Sequence, residues 1–105
     1  MEELSRTLLV ALVREVATEL ARLQGRGWRI HPPKAGAGFR FQQAGPPAVE
    51  AIEVRTDRGP DLRLVVDGQA YGGIDALPAS VRQALGEEGL EELRLIRRLI
   101  CHRLN

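Results

Sequence analysis

Four short segments in the middle of the chain alternate apolar and polar residues with a period of two, and this pattern constrains the fold most strongly. The segments span residues 27–31, 38–42, 51–56 and 61–66. Such alternation is typical of antiparallel strands that bury one face and expose the other. Because the connections are short and contain Gly and Pro, they favour an up-and-down meander. A turn at Asp67 and Gly68 would add a fifth strand over residues 69–71.

A long helix is predicted before the meander. Residues 2–24 contain no Gly or Pro, and Gly25 follows them as a candidate C-cap. Apolar residues spaced alternately by four and three form one stripe along this helix: Leu9, Val13, Val16, Leu20 and Leu23. This stripe is sufficient to pack the helix onto a sheet.

Two further helices are predicted after the meander. Asp75 is a candidate N-cap, Pro78 fits the first turn, and Gly86 can close this helix. The last helix is predicted over residues 87–104, with a broad apolar face. The connector DGQAYGGIDALPASVR resembles a short pattern found in assorted bacterial proteins, and the resemblance implies no activity.

Length and composition fit one folded domain over residues 1–105. The chain is 44% hydrophobic and 28% charged, and its net charge of +1 argues against a strongly electrostatic partner for the whole protein. The predicted fold is therefore α+β: an N-terminal helix, an antiparallel meander of four or five strands, and two C-terminal helices, with the helices packed on one face of the sheet. Cys101 is the only cysteine, the start of the chain has no basic secretory signal, and no apolar run is long enough to cross a bilayer. We expect a cytoplasmic protein with no membrane partner.

One arginine per strand alternates with the apolar residues of the meander. If Trp28, Phe39, Ile52 and Leu62 face the core, the opposite face carries these arginines: Arg29, Arg40, Arg55 and Arg63. Such a face can present guanidinium groups to RNA, DNA or an acidic peptide. The preferred interpretation is an ordinary solvated face on which Glu53 and Asp67 pair with arginines, because the exposed faces of sheets are routinely polar. Since the aromatic residues are predicted in the core, nucleic-acid binding is the second interpretation and not the first.

No motif for catalysis, cofactor binding or metal binding stands out. His31, His102 and Cys101 lack the spacing of a metal site, and the glycines of KAGAGFRF precede a strand instead of opening a helix. The basic end of the last helix is explained by the helix dipole, since its glutamates lie at the other end. We therefore predict no catalytic residue, no cofactor and no metal, and an enzyme stays possible but unsupported.

The first helix carries more apolar residues than its core stripe needs. Leu8 and Leu12 lie one turn apart beside that stripe. A helix on the surface of a monomer needs one apolar stripe only. We therefore predict a homodimer with Leu8 and Leu12 at its interface, and a non-enzymatic module for protein–protein interaction or regulation that binds itself or another protein.

Overall fold

The computed structural model describes residues 2–34 and 37–103. For residues 2–13 and 103 it describes the backbone alone. The elements follow in chain order: α1 (Glu2–Gly25), β1 (Trp28–His31), β2 (Arg40–Gln43), β3 (Val49–Thr56), β4 (Gly59–Val66), β5 (Gln69–Tyr71), a 3₁₀ turn (Ile74–Ala76), α2 (Ala79–Arg98) and a π-helical turn (Leu99–Arg103).

The five strands form one antiparallel sheet in the order β1-β2-β3-β4-β5, which confirms the predicted α+β class and meander. The fifth strand follows a tight turn in which Asp67 has φ 49° and Gly68 has φ 83°. Positive φ at both central residues is the geometry that lets a two-residue turn match the twist of the strands. The Asp-Gly pair therefore explains why β5 pairs with β4.

Two C-terminal α-helices were predicted, and this prediction is wrong, because the structure has one. α2 spans Ala79–Arg98 as a single helix that is bent at Gly86, where φ is 73° and ψ is 175°. Gly86 does interrupt the helical backbone, because glycine adopts positive φ without a steric penalty. The chain returns to helix at once, so the structure has two α-helices and not three.

The predicted cap at Asp75 is also wrong. Asp75 lies inside the 3₁₀ turn, and α2 begins after Pro78 without a side-chain cap. The connector is held instead by Arg82, whose Nε donates to the carbonyl of Leu77 at 3.1 Å and whose Nη2 donates to that of Ile74 at 3.1 Å. A cation is a good partner for these carbonyls, since charge-assisted hydrogen bonds are stronger than neutral ones.

β3 buries the opposite set of side chains from the one expected. The buried positions of β3 are Val49, Ala51 and Glu53, whereas Ile52 and Val54 lie on the other side of the strand and are half-buried. In the sheet, Ala51 pairs with Phe41 of β2 and with Leu64 of β4. Both neighbours are large and fully buried, so the small side chain fits between them where isoleucine would overpack the core.

Helices cover one face of the sheet. The buried hydrophobic residues form a single cluster: Leu23, Trp28, Phe41, Val49, Ala51, Leu62, Leu64, Val66, Ile74, Leu77, Leu93, Ile96, Leu99 and Ile100. Every sheet residue in this cluster has the same side-chain parity, and the helical members come from α1, α2 and the π-helical turn. The described part of the apolar stripe of α1 behaves as predicted, with Leu23 buried and Val16 and Leu20 packed against the cluster.

Hydrogen bonds and ion pairs hold α2 against the junction between α1 and β1. Glu92 accepts a hydrogen bond from Trp28 Nε1 at 2.9 Å and another from Arg26 Nε at 2.8 Å. Glu88 also binds Arg26, at 2.5 Å from its Nη2. The hydrogen bond and charge of Glu92, and then those of Glu88, raise the pKa of Arg26 above its ordinary value. Trp28 is 3% exposed, so its indole N–H depends on Glu92 for a partner.

Glu92 and Glu88 should therefore contribute differently to the free energy of unfolding. Glu92→Ala leaves a buried indole N–H without an acceptor and should lower the free energy of unfolding by about 1–3 kcal/mol. Glu88→Ala removes only an exposed ion pair, whose carboxylate side chain is 81% exposed, and should change it by less than about 1 kcal/mol. Urea denaturation followed by the fluorescence of Trp28 measures both variants, and equal losses would contradict the assignment.

Candidate functional site

The face of the sheet opposite the helices, called the open face here, contains no buried residue among those that the structure describes. Its side chains are Arg29, His31, Arg40, Gln42, Glu50, Ile52, Val54, Asp61, Arg63, Val65 and Ala70. In antiparallel sheets one face often packs on the core while the other faces water. On the open face three half-buried β-branched residues, Ile52, Val54 and Val65, lie among the charged ones.

Three of the four predicted arginines share the open face. Arg29 pairs with Gln42, while Arg40 and Arg63 both pair with Ile52. Arg55 does not join them, because it has the same parity as Ala51 on β3 and is exposed near the end of the strand. The prediction that all four arginines lie on one face is therefore corrected to three.

Ile52 lies at the centre of the open face with an arginine on either side. Its Cα partners are Arg40 on β2 and Arg63 on β4. Directly opposed residues have Cβ atoms about 5 Å apart, so both arginine stems lie beside the isoleucine. Val54 follows two residues later on the same side of β3, and Val65 is diagonal to Ile52 on β4. Together Ile52, Val54 and Val65 make a small, half-buried apolar patch.

A chain of hydrogen bonds crosses three strands next to this patch. Nε2 of His31 lies 2.8 Å from Oε1 of Gln42, and Nε2 of Gln42 donates to Oε2 of Glu50 at 2.6 Å. This chain was not predicted from the sequence, because its three residues come together only through the pairing of β1, β2 and β3. It occupies one oxygen of Glu50, which would otherwise be available to the arginines.

The arginines of the open face have no acidic partner among the described residues. No carboxylate there lies within 4 Å of a guanidinium nitrogen of Arg29, Arg40 or Arg63. Oδ1 of Asp61 accepts the backbone N–H of Leu62 at 2.7 Å and lies 3.6 Å from Nε of Arg97. The charged residues directly beside Ile52 are therefore Arg40 and Arg63, although the open face also includes Glu50 and Asp61.

The two acidic residues that were expected to pair with these arginines lie elsewhere. Glu53 is 8% exposed on the helix side of the sheet, and its Oε1 accepts the backbone N–H of Phe39 at 2.9 Å. Gly38 allows this approach, since a Cβ there would lie 2.7 Å from Oε1 of Glu53. Asp67 holds the turn after β4, where its Oδ1 accepts the backbone N–H of Ala48 at 3.0 Å. Both carboxylates have structural partners, which leaves the arginines of the open face without them.

A second charged groove lies between α1 and α2. It is lined at one end by the glutamates that bind Arg26 and at the other by arginines: Arg22, Arg94, Arg97 and Arg98. The separation of charge along α2 follows the helix dipole, as the sequence indicated. This groove is mixed in charge, and so it favours no ligand of a single sign.

Cys101 and His102 lie in the π-helical turn at the end of the described part of the chain. Sγ of Cys101 donates to the carbonyl of Pro60 at 3.3 Å, and His102 is exposed. No group of His, Cys, Asp and Glu among the described residues could hold a metal ion. Across that same part of the chain, no helix has the length and apolar character needed to cross a membrane. The side chains of Leu8 and Leu12 lie outside the described residues, so the predicted dimer contact stays a prediction.

Comparison with known proteins finds no protein family, no curated protein and no solved structure that matches the chain. Functional inference therefore depends on the open face and on the geometry of α1.

Proposed function

We propose that the protein is a small, non-enzymatic, cytoplasmic module for protein–protein interaction or regulation, and that it acts as a homodimer. The observation that carries this proposal is that α1 has more apolar residues than the stripe that packs on the core uses. The free thiol of Cys101 fits a reducing compartment.

α1 runs antiparallel to the last part of the chain that the structure describes. Arg26, just after α1, binds Glu88 and Glu92, and α1 also contacts the π-helical turn Leu99–Arg103. The part of the α1 stripe that packs in or against the core cluster is Val16, Leu20 and Leu23. The first three turns of α1, residues 2–13, precede this part.

Leu8 and Leu12 fall within these three turns. Full burial of a leucine side chain contributes roughly 1.5–3 kcal/mol, so exposing both to water would forfeit a sizeable fraction of a small domain's stability. A second copy related by a two-fold axis would bury both pairs at once. The homodimer accounts for the apolar residues that the core stripe of α1 leaves over.

Leu8→Glu combined with Leu12→Glu should convert a dimer into a folded monomer, because like charges would then face each other across the two-fold axis. Analytical ultracentrifugation gives the mass, and the fluorescence of buried Trp28 reports whether the fold survives. The matched control is Ala17→Glu with Ala21→Glu, which adds the same charge at the same spacing on exposed positions of α1. The control should stay dimeric, and a monomeric wild type at micromolar concentration would contradict the proposal.

A second candidate function, nucleic-acid binding, is favoured by the three arginines that share the open face without acidic partners. Backbone phosphates are recognised mainly by such side chains. The face lacks the exposed aromatic residues on which single-stranded bases stack, since Trp28 and Phe41 are buried on the other side.

Binding of labelled single-stranded RNA at low and physiological salt tests this alternative. We expect no appreciable binding at physiological salt, because Trp28 and Phe41 are buried on the other side of the sheet and offer no stacking platform. A salt-sensitive affinity that is lost when Arg29, Arg40 and Arg63 are all changed to Gln would favour nucleic-acid binding instead.

A further inference from the structure

The open face combines an apolar centre with a cationic border in a definite geometry. Ile52 and Val54 follow each other along the outer side of β3, the central strand. Arg40 and Arg63 flank Ile52 from the two neighbouring strands. From this arrangement we propose that the open face docks an acidic amphipathic helix of a partner protein, with the apolar stripe of that helix along β3. This inference goes beyond the homodimer, because it uses a surface remote in the sequence from Leu8 and Leu12.

The spacing of the strands fits a single helix. Adjacent strands lie about 4.8 Å apart, so the backbones at Arg40 and Arg63 are about 10 Å from each other. An α-helix with its side chains is about 10–12 Å across. A helix centred over Ile52 would therefore bring acidic residues on its two flanks toward one arginine each, while its apolar stripe covers Ile52 and Val54.

The charges select an acidic partner. Arg29, Arg40 and Arg63 have no carboxylate within 4 Å among the described residues. The two carboxylates on the face, Glu50 and Asp61, keep their charge but do not flank Ile52: Glu50 is opposite Gln42 and Val65, and Asp61 is opposite Val54 and lies 3.6 Å from Nε of Arg97. Opposite charges across an interface favour encounter and suppress partners of the wrong sign. A basic helix would meet three uncompensated arginines.

The apolar patch favours a polypeptide over a nucleic acid. Aliphatic side chains such as those of Ile52, Val54 and Val65 gain from contact with leucine or valine. Single-stranded nucleic acids gain instead from aromatic platforms, and Trp28 and Phe41 are buried on the helix side of the sheet. A partner that contributes both carboxylates and aliphatic side chains uses the whole face.

The experiment uses the full chain and three labelled synthetic helical peptides of about 18 residues each, a length at which helices form in water. The first peptide has a leucine stripe flanked on both sides by glutamates. In the second the leucines are replaced by glutamines, and in the third the glutamates are replaced by lysines. Fluorescence anisotropy should show binding of the first peptide, with the second and third weaker by at least about tenfold.

Variants of the protein place the binding on the open face. Arg40→Gln with Arg63→Gln should weaken binding of the first peptide about tenfold, and Ile52→Thr should weaken it by a similar factor. Threonine preserves the strand preference at an outward position, so the fold is retained. The matched control, Arg14→Gln with Arg94→Gln, removes the same charge from exposed helical positions and should leave the affinity unchanged.

Several results would overturn the inference. No binding of the first peptide would do so, and equal binding of the leucine-free peptide would reduce the face to a cationic patch. Tighter binding of a labelled single-stranded oligonucleotide, lost in the Arg40/Arg63 variant, would assign the face to nucleic acid. A change of sedimentation mass in that variant would mean that a second copy covers the face.

The sedimentation mass of the Leu8/Leu12 variant tests the homodimer separately, so failure of one proposal is distinguishable from failure of the other.

Discussion

Ala51 lies between Phe41 and Leu64 in the middle of the sheet, and all three side chains are fully buried. Close packing requires a small residue between two large ones in such a row, because a protein interior has no space for an added isoleucine. Side chains alternate across a strand, so burying Ala51 turns Ile52 to the opposite face. The close packing around Ala51 therefore also determines that Ile52 and the rest of the apolar patch lie on the open face. Both functional proposals that involve the sheet depend on it.

The two surfaces proposed for interaction arise from different features of the fold. The sheet has a helix layer on one side only, so the charged and apolar residues of the open face share a surface with no described helix above them. The other proposed surface, on the first turns of α1, is inferred from the spacing of Leu8 and Leu12 in the sequence. Glu92 of α2 accepts hydrogen bonds from Arg26 and Trp28, and so it holds α2 against the junction of α1 and β1. A module with one surface for a second copy and another for an acidic helix could link self-association to recognition of a partner.

Local signals in the sequence predicted most of the fold. Period-two alternation and Gly/Pro turns located the strands, and the Asp-Gly pair located the last turn, because each depends on neighbouring residues only. β3 was ambiguous, since Val49 and Ala51 have one parity and Ile52 and Val54 have the other; its neighbouring strands decide the choice. The contact between Gln42 and Glu50 also depends on the pairing of β2 with β3. The support of the connector by Arg82 depends on the backbone conformation between Ile74 and Arg82, because two carbonyls of that segment accept its hydrogen bonds. Consequently three arginines of the candidate site were predicted, whereas Arg55 was misplaced and the apolar patch was missed.

The orientation of β3 can be measured directly by the reactivity of introduced thiols. With Cys101 changed to Ser, Ala51→Cys and Ile52→Cys each give a protein with one thiol, and a thiol-reactive dye is added under native conditions. We expect the Ile52→Cys thiol to react in the folded protein, because position 52 is half-buried on the open face, whereas the Ala51→Cys thiol should react only as the protein unfolds. Rapid reaction at position 51 together with protection at position 52 would contradict the register of β3 and the open face derived from it.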